Sequence, residues 1–222
     1  MIKHIFIIIA LLNLVGCKLI QYNSDPNVTA NTITFAKPAT HRNLAYIWLP
    51  TANTGNKVLY REAFDNNVAN FSKKHTLTNL NPQAQTVFND FIIEQGGAFD
   101  TNTGKLNAEL IQTAMQHTFN NITAEYPSVD TLLVIHPKET AIKVVDGTAN
   151  WHGVEQHIAT IKSVEFRSVI SLAIQYYAPE SKTYNLEIGL DLHTPDLTDN
   201  SKYEQVLTHI LEPIVILNTA TK

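Results

Sequence analysis

Residues 169–192 read VISLAIQYYAPESKTYNLEIGLDL, two apolar runs separated by a short polar stretch. Val169 to Tyr177 and Tyr184 to Leu192 are rich in the β-branched and aromatic residues that strands favour. The residues between them, Ala178-Pro179-Glu180-Ser181-Lys182, have the composition of a turn, so the whole stretch predicts a β-hairpin. Apolar and polar residues alternate in its second strand, which predicts one buried face and one wet face carrying Glu187 and Asp191.

The rest of the chain supplies further strands and helices around this hairpin. Apolar stretches typical of strands occur at Leu44 to Leu49, Thr131 to His136 and Ala141 to Val145, and Asn150 to Ile161 alternates less regularly. Helical spacing of apolar residues occurs at Val58 to Phe71, from Pro82 to the Gly96-Gly97 stop, at Asn107 to Tyr126 and at Tyr203 to Ile216. This order predicts one mixed α/β (α+β) domain, in which a largely antiparallel sheet packs with three or four helices.

The segment from Phe99 to Leu106 contains Asp100-Thr101-Asn102-Thr103-Gly104, which superficially resembles a calcium-binding loop. An EF-hand loop requires glycine at its sixth position and glutamate at its twelfth. Counted from Asp100, Gly104 is fifth and Ile111 is twelfth, so the match fails. We predict a turn in which Asp and Asn side chains cap the backbone and Gly104 supplies a positive φ.

Composition excludes two broad classes of protein. The chain has 222 residues, of which 44% are hydrophobic and 16% charged, and its formal net charge is -4. This hydrophobic content excludes a wholly disordered chain. The mild acidity, with a pI near 6.1, argues against binding to nucleic acid through bulk charge.

The first 17 residues indicate the cellular location of the protein. Met1-Ile2-Lys3-His4 is a short basic start, and Ile5 to Val15 is an apolar run interrupted only by Asn13. The run is shorter than the about 20 residues that a helix needs to span a bilayer, so it predicts an export signal. The single cysteine of the chain, Cys17, lies at the end of this segment.

Leu14-Val15-Gly16-Cys17 resembles the lipobox of bacterial lipoproteins position by position. The resemblance implies a diacylglycerol thioether on Cys17, cleavage before it and acylation of the new amino group. Two or three acyl chains anchor a protein stably, because each buried methylene contributes about 0.8 kcal/mol. The alternatives are a buried cysteine in an ordinary first helix and a signal anchor that is never cleaved.

These features predict residues 1–16 as a signal peptide, 17–42 as a lipidated tether and 43–222 as a single envelope domain. The tether prediction rests on the polar, aperiodic stretch from Gln21 to Arg42, and about 20 residues reach roughly 65 to 70 Å when fully extended. Lys18 follows the cysteine, where inner-membrane lipoproteins of enteric bacteria typically carry Asp. The resemblance therefore implies attachment to the outer membrane, with the domain facing the periplasm.

Two segments resemble recurring segments of uncharacterised proteobacterial envelope lipoproteins. They are Gly96 to Leu106 and Gly147 to Gln156, the second containing Trp151-His152-Gly153-Val154. The resemblance extends over about half of the mature chain and supplies no catalytic residue. In element order the chain also resembles the amino-terminal domain of the TolB periplasmic protein and the lipoprotein activators of penicillin-binding proteins, and this likeness of fold does not specify a function.

The sequence carries no motif of an enzyme or cofactor site. A Gly-x-Ser-x-Gly elbow, a P-loop and a dinucleotide fingerprint are all absent. His152 and His157 are five residues apart, so on a strand they point to opposite faces, and two ligands do not complete a zinc site. We expect no metal, no cofactor and no catalytic residue; the alternative is an enzyme that uses His136 or His157 as a base.

The expected function is presentation of the folded domain to a protein partner in the cell envelope, with no role for nucleic acid. The candidate binding surface consists of Trp151, His152, Glu187 and Asp191. The alternative is binding of a small ligand, lipid or glycan in a pocket lined by Tyr176, Tyr177, Tyr184 and Trp151.

Overall fold

A computed structural model of the chain describes residues 39–51, 55–151, 154–157, 165–179, 184–190 and 200–218. The strands in this part of the chain are β1 (Asn43–Leu44), β2 (Tyr46–Trp48), β3 (Thr78–Asn79), β4 (Leu132–Val144), β5 (Thr148–Trp151), β6 (Val154–His157), β7 (Glu165–Tyr177) and β8 (Tyr184–Leu190). The helices are α1 (Gly55–His75), α2 (Asn81–Glu94), α3 (Ala108–Glu125) and α4 (Asn200–Leu211).

The main sheet has the strand order β2-β4-β7-β8. β2 and β4 are parallel, whereas β4 with β7 and β7 with β8 are antiparallel. The predicted hairpin is present, with Tyr176 opposite Tyr184 in the β7–β8 register. The prediction of one α+β domain with a mixed, largely antiparallel sheet is therefore confirmed.

Helices cover both faces of this sheet. Leu133 and Ile135 of β4 pack in a cluster with buried side chains of α1 and α4. Leu132 and Val134 point the other way and pack with buried side chains of α2 and α3. This alternation explains why β4 begins as a continuous apolar run, since a strand buried on both faces has no wet side.

One prediction about β4 was wrong. The segments 131–136 and 141–145 were predicted as two strands, but β4 is a single strand of 13 residues that runs through Pro137. The Leu133 N–H donates to Ala45 O, and Ile135 O accepts from Leu49 N–H, so alternate residues of β4 direct their backbone groups toward β2. Pro137 is the next residue of that series, so its nitrogen faces away from β7 and the β4–β7 ladder loses no hydrogen bond. Pro137 also lies beyond the end of β2, so no bond to β2 is lost either.

A single carboxylate ties β2 to α1. Asp65 Oδ1 accepts hydrogen bonds from Tyr46 Oη and from Trp48 Nε1, both at 2.8 Å. Arg61 lies one turn earlier on α1, with its Nε 3.6 Å from Asp65 Oδ2 and its guanidinium over the Trp48 ring. Phe64 meets the rings of Tyr46 and Trp48 edge-on. The two largest side chains of β2 are thereby buried with their polar atoms satisfied.

Side chains of α2 close the outer edge of β2. The Gln85 amide accepts from Trp48 N at 2.7 Å and donates to Trp48 O at 3.2 Å, as a neighbouring strand would. Asn81 Nδ2 donates to Tyr46 O at 3.0 Å. Unpaired backbone groups at a sheet edge are a template for pairing with another chain, and these amides occupy them.

The folded domain begins earlier than predicted. His41 is buried, and its carbonyl accepts from Ile216 N at 2.7 Å. Arg42 donates to His75 O at 2.7 Å and accepts from Thr78 N at 2.8 Å. His41 and Arg42 were predicted as the end of the tether, but they belong to the folded domain, because both bond to backbone groups that only the folded chain brings to them.

The turn after α2 and the start of α3 are confirmed. Asp100 Oδ1 accepts from Asn102 N at 3.0 Å and from Thr103 N at 2.7 Å, and Gly104 has a φ of 65°. The bonds from Thr103 lower the pKa of Asp100. Asn107 Oδ1 accepts from Leu110 N at 3.1 Å, as expected of the N-cap of α3.

Candidate interaction surface

The carboxyl-terminal end of β4 and the amino-terminal end of β7 form a two-stranded ribbon. β8 pairs with β7 only from Ile170 onward, whereas β4 pairs with β7 from one end to the other. Within the described residues, the pairs from Thr140↔Val169 to Val144↔Glu165 therefore have no third strand beside β7. We call residues 140–144 and 165–169 the distal ribbon. Five residues of antiparallel strand are about 17 Å long.

The inner face of the distal ribbon has a small core of its own. Val144 and Val169 pack with Ala149 and Trp151 of β5, and Ile142 packs against them. β5 folds back after a tight turn at Asp146 and Gly147, whose φ values of 50° and 74° are both positive, as a type I′ turn requires. An isolated two-stranded hairpin is marginally stable, and this cluster supplies the burial that the ribbon needs.

Trp151 is therefore not part of an exposed binding surface. Its side chain is 6% exposed and lies in the inner-face cluster. The prediction that Trp151 belongs to the binding surface was wrong, because burial of the ring depends on β5 folding back onto β4, and strand periodicity within Asn150 to Ile161 does not report that contact.

The outer face of the distal ribbon consists of exposed side chains. Lys143 and Phe166 are register partners at its far end, and Ala141 and Ser168 are register partners next to them. Phe166 is 72% exposed, and Val145, which follows β4, is 48% exposed. Ser168 Oγ donates to Glu139, which lies on the same face toward the body of the sheet. We define the outer face as Glu139, Ala141, Lys143, Val145, Phe166 and Ser168.

Two properties distinguish the outer face from the ordinary protein surface. Phe166 and Val145 are two of the four large apolar side chains that the described residues leave exposed, and both lie at the same end of the ribbon. Among the described residues, Lys143 forms no ion pair. The outer face thus offers apolar area and an available cation to a partner.

The sequence reasoning missed Phe166 and Val145, although local signals for both exist. Asp146-Gly147 is a strong hairpin signal and places Val145 at the start of a turn. If the strand that ends at Tyr177 is extended back to Glu165, alternation puts Phe166 on the face opposite Val169. The burial of Val169 then leaves Phe166 outward.

The structure does not describe the side chains of the other four residues predicted for the site. Cys17, His152 and Asp191 lie outside the described residues. Glu187 belongs to β8, opposite Ala173 of β7, but the structure does not describe its side chain. Those four residues are therefore neither brought together nor separated by the structure.

The pocket predicted from aromatic residues is not formed by the three of them whose side chains are described. Tyr176 lies in the cluster with α1 and α4, where its hydroxyl donates to Ile210 O at 3.1 Å. Tyr177 points to the opposite face, where its hydroxyl donates to Gln116 Oε1 at 2.7 Å. Trp151 lies in the separate inner-face cluster. Consecutive residues of a strand point to opposite faces, so Tyr176 and Tyr177 never line one cavity.

A groove lies between α1 and α4. Its volume is about 230 Å³, and it is lined by Asn67, Asn70, Phe71, Lys74, Glu204 and Leu207. Lys74 and Glu204 form an ion pair across it. Pockets for small ligands usually measure about 300–1,000 Å³, so the groove is small for this purpose.

The described residues contain no group of three or more His, Cys, Asp or Glu side chains that could hold a metal ion. Of the two histidines considered as a catalytic base, His136 lies in β4 and is half-buried, whereas His157 is exposed on β6. No described helix has both the length and the apolar character needed to cross a bilayer. No family model, no curated protein and no solved structure matches this chain.

Proposed function

We propose that this chain is a lipoprotein of the bacterial cell envelope, anchored through Cys17, whose domain binds another protein without catalysing a reaction. The observation that carries the anchor is Leu14-Val15-Gly16-Cys17, in which the single cysteine follows a short apolar run with a basic start. Lys18 favours the outer membrane, with the domain in the periplasm.

The geometry of the domain supports this proposal. His41, at the start of the folded domain, lies 3.7 Å (Nε2 to Oδ1) from Asp130, just before β4 begins. β4 then runs away from this point for 13 residues, a length of about 40 Å. A domain tethered at its His41 end therefore carries the outer face of the distal ribbon at its far end, where a partner has access to it.

The anchor is tested by Cys17→Ser in cells fed with an alkyne fatty acid. We expect the wild-type chain to take up label and to sediment with membranes, and the variant to lose all label and to accumulate as the uncleaved precursor. Serine has no thiol to form the thioether, and cleavage of a lipobox follows that modification. Ser24→Ala, in the polar stretch after the cysteine, is the matched control and should behave as the wild type. Normal processing of Cys17→Ser, with its membrane fraction unchanged, would contradict the anchor.

The binding surface is tested with a photo-reactive phenylalanine analogue at position 166 in the anchored protein. We expect a reproducible protein adduct, identified by mass spectrometry, at least ten times as abundant as that from the same analogue at position 93. Ile93 lies on α2 and is 71% exposed, close to the 72% of Phe166, so exposure alone cannot produce the difference. Equal or absent adducts at both positions would refute the outer face as a binding surface.

A further inference from the structure

We propose that the outer face of the distal ribbon binds the outer face of a second copy of this chain, related to it by a twofold axis. The inference rests on the proposed function, because the lipid anchor concentrates the copies on one surface. It names the partner that the preceding section leaves open. The argument comes from the symmetry of the outer face about its central pair, Ala141↔Ser168.

Charges on the outer face are complementary to themselves. Glu139 and Lys143 lie two residues on either side of Ala141, so all three share one face of β4. A twofold axis that crosses the strands at Ala141 places Lys143 of each copy over Glu139 of the other. Glu139 accepts from Ser168 within its own chain, but a carboxylate has capacity for further bonds, so it remains available to the second lysine.

Apolar and small residues follow the same symmetry. Phe166 lies two residues before Ser168 in β7, and the same axis places it over the position of Ile170 in the second copy. The central residues are alanine and serine, which are small enough to let the two ribbons approach. The exposed ring of Phe166 is thereby buried without displacing a bulky side chain at the centre.

The balance of charge favours a second copy over other occupants. The outer face has one acidic and one basic side chain at opposite ends, so a surface of uniform sign, such as an anionic membrane or a nucleic acid, would be repelled at one end. An isologous contact satisfies both ends, because each residue meets its opposite.

The contact area predicts that the association is weak in solution. Three rows of side chains on two strands cover about 250 Å² per copy, whereas stable interfaces bury about 800 Å² per partner. Confinement by lipid anchors raises the effective concentration and compensates for this small area. We expect monomers in dilute solution and the twofold contact on the membrane.

The test is disulfide trapping of the Ala141→Cys variant in the intact envelope. Cys17 is blocked by lipid, so the introduced cysteine supplies the single free thiol, and on the twofold axis it meets its own copy. We expect most of the mature protein to run as a dimer on a non-reducing gel and as a monomer after reduction. Ile93→Cys, on the helix layer that covers the opposite side of the sheet, is the matched control and should give less than a tenth as much dimer.

Charge exchange tests the geometry. In the Ala141→Cys background, we expect Lys143→Glu and Glu139→Lys each to reduce the dimer at least fivefold, and the double exchange to restore it. Phe166→Ser should also reduce it at least fivefold. Failure of the double exchange to restore the dimer would overturn the twofold arrangement, and a disulfide between the introduced cysteine and a different protein would overturn the second copy as the occupant.

The same samples separate this inference from the proposed function. Membranes that contain the lipidated chain but no more Ala141→Cys dimer than the Ile93→Cys control would overturn the twofold contact alone. An unlipidated chain in the soluble fraction would instead overturn the anchor. Resistance of each variant to limited proteolysis verifies that it is folded.

Discussion

Replacing Asp65 with leucine lowers the free energy of unfolding by about 3–5 kcal/mol, because two buried donors lose their acceptor. Tyr46 Oη and Trp48 Nε1 both donate to Asp65 Oδ1, and both aromatic side chains are buried. Hydrogen bonds to a charged group are worth about 1.5–3 kcal/mol each. Urea unfolding followed by tryptophan fluorescence measures the difference.

Two variants control for the substitution itself. Glu62→Leu makes a comparable change at an exposed position one turn earlier on α1, and we expect it to alter stability by less than about 0.5 kcal/mol. Asp65→Asn keeps one oxygen acceptor without the charge. We expect its decrease in the free energy of unfolding to lie between those of Glu62→Leu and Asp65→Leu. If Asp65→Leu and Glu62→Leu are equally stable, the carboxylate does not hold β2 to α1.

Alkaline pH destabilises the domain through its buried tyrosines. Burial, together with the charge of Asp65 and the hydrogen bond to it, raises the pKa of Tyr46 far above its ordinary value. Burial alone raises the pKa of Tyr176 and, by a smaller amount, that of Tyr177. Both Tyr46 and Tyr176 therefore stay protonated in the folded chain at pH values where the unfolded chain loses these protons.

The sign of the effect follows from proton release on unfolding. Above about pH 10 the unfolded state binds fewer protons than the folded state, so the free energy of unfolding falls as the pH rises toward the folded-state pKa values. Each of the two tyrosines contributes a slope of up to about 1.4 kcal/mol per pH unit, and below about pH 10 this contribution is fully retained. Urea unfolding at intervals from about pH 8 to about pH 11.5 measures it.

The double variant Tyr46→Phe, Tyr176→Phe isolates the two hydroxyl groups. It retains both rings in the core, and we expect it to lose most of the alkaline slope. Absorbance at 295 nm should show two fewer tyrosines that ionise only on unfolding. An unchanged slope in the double variant would assign the alkaline transition to other groups.

Features with local signals were predicted correctly. The β7–β8 hairpin followed from two strand-forming apolar runs on either side of a proline-containing turn, and the Asn107 cap and the Asp100 turn followed from side chains that bond to backbone groups two or three residues away. In each case the groups that interact are close in sequence. Their pairing therefore does not depend on how the rest of the chain folds.

Features that depend on distant contacts were not predicted. Pro137 indicated a break between two strands. The strand continues because β2 ends before Pro137, so no partner strand lies on the side of β4 that the proline nitrogen faces. The surface assigned to Trp151 was wrong for a different reason, because an aromatic residue on a half-polar strand is equally suited to a core or a binding site. The fold of β5 onto β4 decides between them.

For this protein, the sequence by itself determined the class of fold, the positions of most strands and helices, and the prediction of a lipid anchor at Cys17. Only the tertiary structure decided that a ribbon of β4 and β7 extends beyond β8, that its inner face is closed by Trp151 and that its outer face exposes Phe166 beside Lys143. The physical reason is that hydrophobic periodicity shows which face of a helix or strand is apolar and which is polar. Which face is covered depends on how other strands and helices pack against it, and those contacts form only when the chain folds.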